Sequence, residues 1–364
     1  MIFKNIYGKI NLVPLTAYDE LISNYVDIVK EVIGVKSIIQ IGSFTVPGLS
    51  DIDIIVIVDD KNPPNWEDIS IRKLLKGQKG YEVIAHDVFV YPEYLSKHIE
   101  GLFYIDRKII LYGDDIGGQL SVEMVEDLKL ILSFEYTVHR LEALVMLTAL
   151  TNTNIRDILL FVSTLRHTYM LLANFKIISR QDCEKRIKEI EDLRKLSIDN
   201  DSYDFKKKLN EWALLSFEAI YNSALLLGGK LKYSPNTSIK KWILNKKKLI
   251  YVKDNINDAT SFFVKNAKFN TNFKGRVLVL PMPSYVCNHI KKYKEIEYIN
   301  NIDISNMDSI HLRYRLATEH KKFIKLNKYK NASSYIIIEN RKSSLQDRVK
   351  EIFLKIISYS QIIK

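Results

Sequence analysis

Lys36 to Val58 reads KSIIQIGSFTVPGLSDIDIIVIV, and the fold turns on this stretch. Lys36 to Ile41 is short and apolar, which predicts a strand. GSFTVPGLS follows, with glycines at 42 and 48 and a proline at 47, so the chain must leave that strand through a loop. Ile52 to Val58 (IDIIVIV) is then a run of β-branched residues too uninterrupted to have a wet face. That is the pattern of a central strand covered on both sides.

Upstream, Thr16 to Gly34 carries Leu21, Ile22, Tyr25, Val29 and Val32 at helical spacing, which predicts a surface helix capped by Thr16 and ended by Gly34. Downstream, a helix is expected over Trp66 to Leu75, a third strand over Tyr81 to Tyr91 (YEVIAHDVFVY), and a short edge strand over Lys108 to Leu111. From Ser121 to Leu227 the pattern is helical only, with candidates at 121–150, 154–176, 180–196 and 203–227, a bundle of about four members. Beyond Gly229 aromatics and lysines interleave without a sustained period. Strands are expected at Arg276–Leu280 and Tyr335–Ile338, and an amphipathic helix at Ser343–Ile363. At 364 residues the chain exceeds what one core usually organises, and three units are expected: 1–118, 119–229 and 230–364.

Charge divides along the same lines. Residues 1–229 carry 26 Lys and Arg against 33 Asp and Glu, while residues 230–364 carry 28 against 10, so the overall +11 conceals a C-terminal third of +18. Such a region suits a polyanionic partner, RNA before others. Cys183 and Cys287 are the only cysteines and have no neighbour at metal-ligand spacing, which argues against a disulfide framework or a zinc site. The N-terminus lacks the pattern of a signal peptide and no apolar run is long enough to span a bilayer, so a cytoplasmic protein with no membrane association is expected.

Asp51 and Asp53 stand two apart at the head of the buried strand, so the pleat points both carboxylates to one face. Two carboxylates there repel each other unless a cation lies between them. Oxygen ligands favour Mg²⁺ or Mn²⁺, which suits phosphoryl transfer. Gly42-Ser43 supplies a turn in which the backbone comes close to a phosphate and the hydroxyl adds a donor. A third carboxylate is expected from a neighbouring strand, and Asp87 is the acidic residue inside VIAHDVFVY. On strand alternation His86 faces away from it and is the poorer metal candidate.

The order hG-S, short loop, S-D-I-D, then h-D-h on a later strand resembles the polymerase-beta-type nucleotidyltransferase superfamily over roughly residues 15–115. The resemblance implies an α/β (α+β) nucleotidyltransferase domain with a mixed sheet over 1–118; the helical pattern and the charge count place a helical bundle and a basic C-terminal α+β region after it. It implies an enzyme that moves a nucleoside monophosphate from a nucleoside triphosphate (NTP) to a hydroxyl acceptor, RNA or a small molecule, with pyrophosphate leaving. Carried over, Gly42, Ser43 and Ser50 contact the nucleotide, while Asp51, Asp53 and Asp87 are catalytic and bind Mg²⁺ or Mn²⁺. Two other readings stay open: a nucleotide- or RNA-binding protein on a catalytically degenerate scaffold, and a toxin- or antitoxin-type nucleotidyltransferase modifying RNA or protein. Arg315 to His320 (RLATEH) has the R-x4-H spacing of HEPN-type ribonucleases, which often accompany the latter.

Overall fold

The computed structural model describes residues 3, 5–103, 105, 107–148, 152–230, 241–244, 248–251, 304–329 and 332. The first elements are β1 (Asn5–Tyr7), α1 (Leu15–Val29), β2 (Val35–Ile41) and β3 (Asp53–Val58). Next come α2 (Trp66–Ile69), α3 (Ile71–Leu74), β4 (Phe89–Pro92), α4 (Glu93–Ser96) and β5 (Lys108–Gly113). The helical part comprises α5 (Val122–Thr148), β6 (Asn152–Asn154), α6 (Ile155–Asn174), α7 (Arg180–Lys195) and α8 (Tyr203–Lys230). A hairpin of β7 (Lys241–Leu244) and β8 (Lys248–Tyr251) follows, and α9 (Ile304–Leu326) comes last.

The chain is therefore mixed α/β, and β2 to β5 form a mixed four-stranded sheet in the order β4-β3-β2-β5. β3 pairs antiparallel with β2 and parallel with β4, so the apolar run Asp53–Val58 is interior to the sheet, as its composition demands. Alternation sorts its side chains. Ile54, Val56 and Val58 join Tyr18, Leu21, Tyr25 and Val29 of α1 in one core, while Ile55 and Ile57 join Ile39, Ile41, Phe89 and Tyr91 on the opposite face. Among the described residues β5 pairs with β2 alone, and its Ile109, Ile110 and Tyr112 are exposed.

Helix α1 starts one residue before the expected cap, with Pro14 at its N-cap and no capping side chain, and it ends at Val29. Proline has no N–H to satisfy and a helix-compatible φ, so it opens a helix without a hydroxyl. Gly34 sits instead in the turn before β2, where φ is +91° and an added Cβ would lie 2.2 Å from the Asn62 carbonyl oxygen. The expected helix at 66–75 is split at Ser70, whose hydroxyl caps α3. The third strand is shorter than expected. Tyr81–Val83 is a 3-10 turn, residues 84–88 are irregular, and pairing begins only at Phe89.

The four long helices α5 to α8 fall where the sequence pattern puts them and pack on one another. The N-terminal segment binds to them: β1 pairs with β6, and the Phe3 amide donates to Asn210 Oδ1 at 2.8 Å. Within 230–364 the described pieces are the β7-β8 hairpin and α9. The strands expected at 276–280 and 335–338 and the helix at 343–363 lie outside the described residues. α9 packs back on the first sheet: His320 Nε2 donates to the Val90 carbonyl at 2.6 Å, its ring stacks on Tyr91 at 4.3 Å, and Tyr329 OH donates to the Pro64 carbonyl at 2.6 Å. Buried His320 and exposed Arg315 therefore do not face a common site.

Candidate metal and phosphate site

The loop from Gly42 to Ile52 is built as a rigid bridge between β2 and β3. Ser50 Oγ accepts the Val46 amide at 3.1 Å, and the Tyr18 hydroxyl, buried on α1, donates to the Ser50 carbonyl at 2.7 Å while accepting the Gly48 amide at 2.9 Å. Gly48 has φ +92°, and a Cβ there would lie 2.0 Å from the Asn11 carbonyl oxygen. The loop can run this close to the N-terminal segment only because that position has no side chain.

Gly42 turns the chain out of β2 with φ +73°, and its amide donates to the Arg107 carbonyl at 3.2 Å. The direction its Cβ would take points toward Asp53 Oδ2, 3.6 Å away, so the glycine backbone and the carboxylate share one side of the loop. Gly42 and Ser43 are both exposed.

Asp51 and Asp53 do converge, and the residue that joins them is His86. One ligand atom from each of the three lies within 4.8 Å of the others. His86 Nε2 is 2.7 Å from Asp53 Oδ1 and 3.8 Å from Asp51 Oδ2, while Nδ1 meets the Asp87 carbonyl at 2.8 Å. All three side chains keep roughly a quarter of their surface open to solvent, enough for an ion to reach them. Burial raises the Asp51 carboxyl above the usual carboxylate range, and the charge of Asp53 raises it further. Burial pushes the His86 imidazole down, but the hydrogen bond and charge of Asp53, the Asp87 carbonyl and Asp51 outweigh it and hold the ring at about 9.

Asp87 does not join the pair, which corrects the expected three-carboxylate set. Its Oδ2 accepts the Ser70 hydroxyl at 2.6 Å and its Oδ1 accepts the Val88 amide at 3.0 Å, both in the interior between the sheet and α1, where Tyr25 also lies. The physical reason is local. The expectation assumed strand alternation across residues 81–91, but residues 84–88 are not a strand, so alternation does not govern which way His86 and Asp87 point. Ser50 is likewise turned inward, buried and occupied by the loop's own amide, rather than facing a ligand.

Arginines from α6 and α7 complete the surroundings. Arg156 Nη1 donates to the carbonyls of Gly48 at 3.3 Å and Glu82 at 3.2 Å, and Arg166 and Arg194 both donate to Thr45 Oγ1. The sequence pattern singles out none of Arg156, Arg194 and Tyr18. Tyr18 had a signal: it lies three and four residues before Leu21 and Ile22, on the same helical face.

Two carboxylates and an imidazole suit a divalent cation, and the nitrogen shifts the preference from Mg²⁺ toward Mn²⁺ and later transition ions. No family model matches this chain, and neither a characterised protein nor a solved structure matches it. Among the described residues, no helix is long and apolar enough to cross a membrane.

Proposed function

We propose that this protein is a metal-dependent nucleotidyltransferase that moves a nucleoside monophosphate from an NTP to a hydroxyl acceptor. The observation that carries the reading is the convergence of Asp51, Asp53 and His86 within 4.8 Å, beside the exposed Gly42-Ser43 turn at the head of a buried strand. A bound Mg²⁺ or Mn²⁺ would supply charge neutralisation at the reacting phosphate. Asp51 and Asp53 would hold it through their carboxylates, and His86 would add a nitrogen ligand on giving up its proton. Gly42 lets the chain approach the triphosphate, and the Ser43 hydroxyl and following amides donate to its oxygens. The acceptor oxygen bonds to the α-phosphorus, the bond to the bridging oxygen breaks, pyrophosphate leaves, and the hydroxyl proton passes to solvent. The +18 of residues 230–364 favours an RNA acceptor.

A second reading is favoured by one observation: Asp87, expected to complete the acidic set, is buried against Ser70. On that reading the site binds metal and nucleotide without turnover. Incubating the full chain with labelled NTPs, Mn²⁺ or Mg²⁺, cellular RNA and metabolite pools, then screening by mass for added nucleotide, separates the two. Transfer that vanishes in Asp53→Asn supports the enzyme, and metal-dependent NTP binding without any product supports the binding protein.

A further inference from the structure

Arg166 on α6 and Arg194 on α7 meet over one hydroxyl. Arg194 Nη1 is 2.8 Å and Arg166 Nη1 is 3.0 Å from Thr45 Oγ1. Arg194 also reaches Ser50 Oγ at 3.4 Å with Nη2. Arg194 is 2% exposed, and no carboxylate lies within ion-pair distance of it among the described residues. Arg166 has Glu191 at 3.3 Å. Two neighbouring guanidiniums thus have one ion-paired carboxylate, Glu191, between them, with Asp51 acting on Arg194 only from beyond ion-pair distance, an arrangement that in a desolvated place costs free energy unless further negative charge completes it. The Nε atoms of both arginines and Nη2 of Arg156 are buried without a hydrogen-bond partner. Burial first, and the charge of Arg166 second, hold the Arg194 guanidinium down at about 9. Thr45 itself is exposed, on the same loop that presents Gly42 and Ser43, and Arg166 keeps 15% of its side chain open to solvent.

If these arginines served only to fasten the loop, neutral donors would do so without the repulsion. Guanidinium is the group suited to phosphate, because its planar fork matches two oxygens and it sheds water readily. We propose that Arg166 and Arg194, with Thr45, form an anion subsite that takes the phosphate tail of a polyphosphate chain. It rests on the nucleotidyltransferase reading for the tail's identity as that of an NTP, and on the arginine geometry alone for anion binding.

The test is tripolyphosphate binding by calorimetry on the full chain in EDTA, where no metal can bridge the anion to Asp51 and Asp53. The wild type is expected to bind. Arg166→Gln should weaken binding by roughly tenfold or more, and Arg166→Lys should recover part of the loss. Asp51→Asn should bind at least as tightly as the wild type, because it removes a repelling charge. Arg194 is deeply buried, so if Arg194→Gln does not fold, Arg166→Gln decides the matter. Absence of wild-type binding, or equal binding by Arg166→Gln, overturns the subsite. Nucleotidyl transfer whose KM for NTP is unchanged in Arg166→Gln also overturns it, leaving the transferase reading standing. Metal-free binding that depends on Arg166, in a protein that transfers nothing, sustains the subsite while the transferase reading falls.

Discussion

Nε2 of His86 lies 2.7 Å from Oδ1 of Asp53, bringing the irregular segment before β4 to the head of β3. The imidazole therefore stands where a third carboxylate was expected. His86→Ala should lower Mn²⁺ affinity by about tenfold or more, since it removes a ligand from a set of three. Asp87→Asn should leave Mn²⁺ affinity within about twofold, because that carboxyl faces Ser70. It should cost about 1–3 kcal/mol of stability through the buried hydrogen bonds it disturbs. Titration with Mn²⁺, paired with thermal unfolding, checks both; the reverse pattern would restore Asp87 to the metal site.

Asp51→Asn should abolish metal-dependent transfer yet leave the metal-free protein more stable, by about 1 kcal/mol near pH 8. The sign follows from the raised carboxyl of Asp51. The folded state disfavours its ionised form, so a penalty grows as pH rises through the ordinary carboxylate range and is complete above the raised value. Asparagine never ionises and avoids it. Denaturant unfolding in EDTA at about pH 8 and about pH 5 should show the gain shrinking at the lower pH.

His320 predicts the opposite dependence. Burial, opposed by the bond to the Val90 carbonyl and assisted by Arg313, holds the ring at about 4 against its ordinary 6.5. A histidine kept neutral in the fold contributes stability that is complete above about 6.5 and is lost as pH falls toward about 4, where the unfolded chain takes up the proton first. The loss should be on the order of 2–3 kcal/mol. His320→Gln, less stable at neutral pH, should lack this acid-dependent step, and unfolding curves from about pH 7 to about pH 4 would show it.

The two loop glycines should separate stability from function. Gly48→Ala forces a Cβ against the Asn11 carbonyl oxygen at 2.0 Å as well as a positive φ, so the soluble yield or melting temperature should fall sharply. Gly42→Ala meets only Asp53 Oδ2, at 3.6 Å, and should cost about 1 kcal/mol for the backbone alone. Its larger effect should be on NTP binding, because the methyl group points into the space beside Asp53. Nucleotide titration of Gly42→Ala at a temperature where it remains folded checks this.

How much was legible varied with the range of the forces involved. The four long helices and the strands at 35–41 and 53–58 were readable because periodicity and β-branched runs are properties of neighbouring residues. The Asp51-Asp53 pair was readable from its two-residue spacing at the head of the apolar run, although β3 begins only at Asp53 and Asp51 lies in the loop before it. The split at Ser70 and the late start of β4 were not, because each depends on which buried hydroxyl or carboxyl finds a partner across the core.

By itself, then, the amino-acid order determined a buried strand flanked by a glycine-serine turn, two carboxylates on one side of it, and a helical array after it. Only the tertiary structure decided that His86 rather than Asp87 meets those carboxylates, and that Arg166 and Arg194 come to Thr45 from more than a hundred residues away. The reason is that periodicity sets orientation only inside regular elements, whereas pairing of charges in an irregular segment or between distant helices is settled by burial: each charged group goes where desolvation is offset by a partner.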